Sequence, residues 1–500
     1  MDSKTVLVTG ATGYVGGRLI PLLLESGYRV RAMGRSLAKL KYRPWAQDPG
    51  VELAKGEVLD AESLKDAANG CSAAFYLVHC MNSYKKDFAQ ADRQAARNMS
   101  AAAATADLAR IIYLGGVGKR NAGQSNDPLG SGNDVADILQ SGPVPVTFLR
   151  AAMILGSGSA SFEILRYIVD RMPVMITPRW VNTACQPIAI RNVLNYLTGC
   201  LENEKTTGKT FDIGGPDVLT YRELMEIYRE ESHLPRRLMI PGPFITTGLS
   251  AYWIHWISPV PITLTVPLIK GFQNPLVCDD TNRIRSLIPQ ELLTCRESIR
   301  LALERIRQER VETRWSDAGI LHYPEWTYGG DAAYAGGTIL ECGYRVQLQA
   351  TPEEVWQAVS RIGGETGWYC GNVLWRLRGG LDRLIGGSGL RRGRRHPSQL
   401  RVGDSLDFWR VLEVEPLRYL LLLAEMKMPG EGLMEIRITT LDDNQAEVQM
   451  FSRFLPKGLW GMLYWYVLYP FHLWIYRGIL KSIAKSLGKP ITHGPECFTS

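Results

Sequence analysis

Val6-Leu-Val-Thr-Gly10-Ala-Thr-Gly13-Tyr-Val-Gly16-Gly17-Arg-Leu-Ile20 decides how the first third of this chain folds. A short run of strand character passes directly into glycines at 10, 13 and 16, and a helical pattern follows from Tyr14 to Ser26. Glycines at that spacing say little alone, but at the head of a β-α-β unit they form a turn suited to phosphate. Gly10 permits the tight turn, Gly13 lets backbone approach a pyrophosphate, and Gly16 allows close helix–sheet packing. The helix N-terminus offers unpaired N–H donors to the same anion. Gly10, Thr12, Gly13, Tyr14, Val15 and Gly16 are therefore the expected dinucleotide contacts.

Beyond this motif, strand-like runs recur at Tyr28–Met33, Val51–Ala54, Ala74–Val78, Ile111–Leu114 and Pro145–Leu149, separated by helix-length stretches such as Lys85–Asp107. Strands alternating with helices imply a doubly wound parallel sheet of the α/β class with right-handed crossovers. The second strand bears on the cofactor. From Tyr28 to Gln47 there is no acid to receive a ribose 2′-hydroxyl, yet Arg29, Arg31, Arg35, Lys39, Lys41 and Arg43 are present. Arg35, just past the strand, suits a 2′-phosphate. NADP(H) is the expected cofactor and NAD(H) the alternative.

Five hundred residues exceed one hydrophobic core, so more than one domain is expected. The less regular stretch from 150 to 315 reads as a substrate-side subdomain, with helices at Phe162–Arg171, Thr220–Ser232 and Pro289–Arg310. It completes a first domain over 1–315. Residues 316–336, rich in Gly and Tyr, read as a linker. A second domain over 337–490 opens with a strand and a helix capped at Thr351, continues through several strands, and closes with an aromatic helix over Lys457–Leu487. That order suggests an α+β domain whose curved sheet grips one long helix.

The net charge of +7 is local: eight arginines lie between Arg376 and Arg401 against one acid, Asp382. No nucleic-acid recognition motif accompanies them, so that partner class is not expected. Nine scattered cysteines without a C-x-x-C pair suggest neither a disulfide framework nor a metal site, and fit a reducing cytoplasm. Met1–Thr5 runs straight into a strand, so no secretory leader is expected.

Gly458–Tyr476 and Leu238–Ile269 contain no Asp, Glu, Lys or Arg, and each approaches the ~20 apolar residues that span a bilayer. Pro470, Gly458 and Gly461 argue against a span in the former. Its aromatics are read as core, or as the lining of an apolar ligand cavity between sheet and helix. A further expectation is peripheral contact with an anionic membrane, at its inner face, through Arg391–Arg395 and the aromatic helix.

The chain resembles the atypical, NmrA-like branch of the extended short-chain dehydrogenase/reductase superfamily. More closely, it is similar to bacterial proteins that fuse such a domain to a C-terminal helix-grip (SRPBCC-like) domain of unknown function. The glycine motif belongs to the whole superfamily. Tyr76–His79, Pro145–Arg150, Gly156–Ala160, Pro178–Val181, Gln186–Ala189, Gly371–Trp375 and Phe471–Trp474 carry the closer likeness. The resemblance implies that Glu57 and Val58 border the adenine, and that Leu77, Val78 and His79 run beneath ribose and nicotinamide.

Active members of that superfamily place a Ser after the fifth strand and a Tyr-x-x-x-Lys in the next helix, the Tyr serving as acid/base. Here the strand ends Leu114-Gly115-Gly116, and the following helix near Ser131–Leu139 has neither Tyr nor Lys. Lys119, Ser125 and Ser131 are nearby but not at the required spacing, and Tyr113 reads as core. His79, Cys80 and the Trp180–Gln186 segment lie near the expected nicotinamide end, yet no residue is assigned as catalytic. Two function classes remain: an NADP(H)-dependent oxidoreductase whose substrate the sequence leaves open, a hydrophobic one among the candidates, or an NmrA-type protein that senses or scaffolds with the dinucleotide.

Overall fold

Thr5–Thr9 (β1) is buried along nearly its whole length, as a strand covered on both faces must be. It sits inside a seven-stranded parallel sheet with β2 (Arg29–Gly34), β3 (Val51–Lys55), β4 (Ala73–Tyr76), β5 (Arg110–Gly116), β6 (Val146–Ala151) and β7 (Thr210–Ile213), in the order β7-β6-β5-β4-β1-β2-β3. The order reverses between β1 and β4, which opens a crevice at the carboxyl ends of those strands. In this computed structural model the described residues are 4–78, 88–117, 128–242, 246–260, 262–319, 321, 323–324, 326, 339–390, 394–442 and 444–498.

The chain divides into two units, Met1–Ile320 and Leu321–Ser500. In the first, the helix Gly16–Glu25 buries Leu19, Ile20 and Leu23 against the sheet. The region after β6 adds a second core built on Phe162, Ile168, Tyr228, Ile254, Ile269 and Ile299. β7 was not anticipated: only four residues long, it pairs with β6 at the sheet edge. The charge-free stretch 238–269 becomes a short strand, Leu238–Pro241, and two helices, Thr247–Ile257 and Ile262–Gly271. At 11 and 10 residues each is far short of a bilayer. Among the described residues no helix is long and apolar enough to cross a membrane.

The expected linker begins too early. Trp315–Ala318 forms a 3-10 helix whose Ser316 and Asp317 are buried in the first unit. Composition rich in Gly and Tyr concealed this, because the partners are basic side chains from far earlier in the chain.

The second unit is an antiparallel sheet of β8 (Leu340–Leu348), β9 (Ser405–Leu406), β10 (Trp409–Glu415), β11 (Tyr419–Ala424), β12 (Gly430–Asp442), β13 (Gln445–Pro456) and β14 (Ile491–Phe498). Its order is β9-β10-β11-β12-β13-β8-β14. Thr351 caps Pro352–Val359 through a reciprocal box with Glu354. Two elements escaped the sequence reading: the helix Asn372–Leu384, and β14, which lies beyond the expected domain end at 490 and pairs with β8.

Gly458–Leu487 is a single helix of 30 residues lying over β8, β13 and β14. Its second half buries Ile475, Tyr476, Ile479, Leu480 and Ile483. The stretch up to Trp474 departs from the expectation of core or cavity lining: Trp465 is buried, but Leu459, Trp460, Leu463, Tyr466, Val467, Phe471 and Trp474 are exposed. A 30-residue helix is roughly 45 Å long, and a helix lying across one sheet presents only one stripe to it.

The basic loop also differs from expectation where it is described. Arg395 pairs with Asp404 through two contacts of 3.0 and 3.1 Å, both side chains being buried. Arg394 donates to the carbonyls of Ser360, Ile362 and His396, and burial lowers its pKa to about 10. Neither is turned outward to a membrane. Arg391 and Arg392 lie outside the described residues.

Candidate functional site

The glycine turn is shaped by what its neighbours leave no room for. Gly10 has φ +70°, and a Cβ there would meet Leu77 O at 2.8 Å. At Gly16 a Cβ would lie 2.4 Å from Gly10 O. The turn closes through a Gly13 N–H donated to Gly10 O at 2.8 Å. Thr9 ties the ends of the two central strands together: its hydroxyl donates to Phe75 O at 3.0 Å and accepts from Leu77 N at 3.2 Å. Val15, the N-cap of the following helix, supplies no side-chain cap, and no acid stands in the first turn. The positive end of that helix is thus open to an anion.

A cleft at this point is lined by Gly10, Thr12, Gly13, Arg35, Glu57, Val58, Leu77 and Val78, joined by Met33, Gly34, Gly56, Leu59 and Ala318. Tyr14, Val15 and Gly16, also expected as contacts, are not among its lining residues. The Tyr14 ring turns away: Arg18 lies over it at 4.7 Å, its hydroxyl sits where a Gly156 Cβ would be, and burial pushes its pKa up to about 12. His79, Cys80, Lys119 and Ser125 fall outside the described residues.

Residues 313–319 were missed as part of the site. Arg43 donates to Asp317 Oδ2 at 3.1 Å and to Thr12 O at 2.7 Å. Lys39 donates to the carbonyls of Asp317 and Gly319, each at 2.6 Å, and Arg35 to Ala318 O at 2.7 Å. Burial alone would raise the Asp317 pKa, but Arg43, the Arg314 N–H and Lys39 outweigh it and hold the carboxyl below its ordinary value. Arg18 completes the clasp, donating to Thr313 Oγ1 at 2.8 Å and Ser157 O at 2.7 Å, while the Thr313 hydroxyl donates to Tyr14 O at 2.9 Å. An acid-free basic run was the available signal; no local pattern pointed to its partner some 270 residues later.

The carboxyl end of β5, Gly115-Gly116, carries no hydroxyl, and the first of these glycines is crowded. A Cβ at Gly115 would lie 2.8 Å from the Phe148 ring and 3.1 Å from the Tyr113 hydroxyl. Tyr113 is fully buried, stacked on Phe148 at 4.8 Å, and burial raises its pKa.

Parallel order, glycine turn and uncapped helix define an NAD(P)-binding fold of the Rossmann type. Residues 2–165 match the NmrA-like family, and residues 334–479 match a family described as protein of unknown function (DUF2867). The NmrA-like match falls within the first unit and the DUF2867 match within the second.

Among curated relatives, "Cinnamoyl-CoA reductase 1" of Petunia hybrida is 28% identical over 132 residues, and "Dihydroflavonol 4-reductase" of Zea mays is 37% identical over 91. These matches cover 26% and 17% of this chain, and only 40% and 26% of the relatives. Among solved structures, the Citrobacter sp. triphenylmethane reductase complexed with NADP(H) aligns at 20% identity and TM-score 0.48, covering 60% of this chain and 99% of that one. A nucleoside-diphosphate-sugar epimerase from Staphylococcus aureus aligns at 16% identity and TM-score 0.48, covering 59% and 99%.

Proposed function

We propose that the first unit is an NADP(H)-dependent oxidoreductase acting on a small apolar carbonyl compound. A pocket in the substrate-side subdomain carries this reading. It has a volume of about 360 Å³ and is lined by Met172, Met175, Thr177, Trp180, Met225 and Trp253 among others. That size and apolar lining suit a small-molecule ligand. Trp180, whose ring packs against Tyr221 and Phe272 at 5.6 and 5.7 Å, forms part of that apolar wall. The curated relatives are named as reductases, which accords with hydride transfer.

The residues present fit the dinucleotide. The turn at Gly10, Gly13 and Gly16 is packed so tightly that a Cβ at each would meet backbone oxygen, and the uncapped helix that follows would receive the pyrophosphate. Arg35, which lines the cleft, would hold a 2′-phosphate, and on this we base the preference for NADP(H) over NAD(H). When bound, the cofactor supplies a hydride to the carbonyl carbon. The chain's part would be to hold both partners in register, with the proton that balances the hydride taken up by the carbonyl oxygen from water. The described cysteines are all free thiols, in keeping with our placing the protein in the cytoplasm.

One observation favours a second reading, in which the dinucleotide is sensed and not consumed: Gly115 leaves no room for the hydroxyl that polarises a carbonyl elsewhere in the superfamily. The two readings separate in one experiment. NADPH oxidation by the purified protein is followed with a panel of aromatic and aliphatic aldehydes and ketones. Oxidation that depends on an added carbonyl supports the enzyme; saturable binding without turnover across the panel supports the sensor.

A further inference from the structure

Half of the exposed large apolar side chains among the described residues, 13 of 26, fall on or at the end of just two helices of the second unit, Asn372–Leu384 and Gly458–Leu487. On the long helix Trp460, Val467, Phe471 and Trp474 share one face over about four turns, roughly 21 Å. On the shorter helix Leu377 and Leu381 lie one turn apart on its outer face. The two helices meet at one end, where a Cβ on Gly371 would touch Trp474 and Ile475 at 3.3 Å. At the other, both are pinned to one turn: Arg378 donates to Lys427 O at 2.7 Å, and the Lys457 N–H to Pro429 O at 2.9 Å.

We infer that this two-helix face docks the protein onto an anionic phospholipid surface, lying in the interface plane without crossing it. The charges around the face decide the occupant. The two helices carry Arg376, Arg378, Arg383, Arg477, Lys481 and Lys485, and their only acid, Asp382, is fully buried. Asp382 is spent within the fold, accepting from the N–H groups of Gly389 and Lys427 at 2.8 and 2.6 Å. At the start of the long helix, Glu431 is paired with Lys457 at 3.3 Å. Arg378 and Arg383 are partly buried, but Arg376, Arg477, Lys481 and Lys485 are exposed, and aromatic side chains beside cations with no exposed acid on either helix match the acyl–headgroup boundary of an anionic leaflet. A self-complementary protein interface would be expected to carry both signs of charge.

Flotation of the full-length protein tests this, using vesicles of phosphatidylcholine alone and with about 30% phosphatidylglycerol, at low and high salt. The expected result is capture by the anionic vesicles at least about fivefold above the neutral ones, weakened by salt. The combined variant Trp460→Ser, Phe471→Ser, Leu377→Ser and Leu381→Ser should lose capture about tenfold. Because all four side chains are exposed, far-UV circular dichroism should be unchanged. No capture, equal capture by neutral vesicles, or capture indifferent to the four substitutions would each overturn the inference. So would a dimer in sedimentation velocity that the same substitutions abolish, since the face would then belong to a second copy.

Discussion

The guanidinium of Arg43 bridges Asp317 and the glycine turn, reaching the Asp317 carboxylate at 3.1 Å and the Thr12 carbonyl at 2.7 Å. Both charged side chains are 7% exposed. Removing one partner strands the other in a dry site, which typically costs about 3–5 kcal/mol. Arg43→Ala and Asp317→Ala should each lower the stability of the first unit by that order in urea titrations, and the double variant by clearly less than the sum. Because the folded-state pKa of Asp317 is depressed, its contribution is present above about pH 4, the unfolded value, and fades as pH falls through the folded one. Full additivity of the two single variants would show that the pair is not coupled.

Gly16→Ala should abolish tight dinucleotide binding while leaving the sheet folded. The new methyl would sit 2.4 Å from Gly10 O and 3.0 Å from Gly10 C, both backbone atoms that cannot swing aside. A weakening of about a hundredfold or more is expected in a calorimetric titration, near 2.8 kcal/mol. Gly248→Ala, whose Cβ would meet nothing within 4 Å, is the control and should bind as wild type.

Arg35→Asp separates a cofactor-reading side chain from a merely structural one. If Arg35 faces the 2′-phosphate, NADPH affinity should fall about tenfold to a hundredfold while NADH affinity holds or rises. If its bond to the Ala318 carbonyl is its whole role, both coenzymes should weaken alike.

The parallel sheet and its glycine turn were legible because each is local: a strand, a turn and a helix within fifteen residues. Glu57, Val58, Leu77 and Val78 came from resemblance, and all border the cleft. What stayed hidden depends on partners far apart in sequence. Nothing near Asp317 announces Arg43, and the same Gly- and Tyr-rich composition suits both a linker and a clasp. The aromatic run was legible as a helix, but not which half of it the sheet would cover. Arg394 and Arg395 read as surface charge because their acceptors, backbone carbonyls and Asp404, form only in the fold.

His472 should make the second unit acid-sensitive. It lies on the long helix between the rings of Trp465, at 5.2 Å, and Tyr476, at 5.9 Å, and burial lowers its pKa to about 4. Between that value and the unfolded value near 6.5, the unfolded chain binds the extra proton, so stability falls as pH drops. Roughly 2 kcal/mol should be lost between pH 7 and pH 5. His472→Phe should flatten this part of the profile in urea titrations. An unchanged slope would mean that another group titrates there.

Isothermal titration of the purified full-length chain with each of the four nicotinamide coenzymes tests the central claim most directly. The expected result is saturable one-to-one binding, with NADPH about tenfold or more tighter than NADH. No saturable heat with any of the four would contradict the assignment of the crevice beside Gly10.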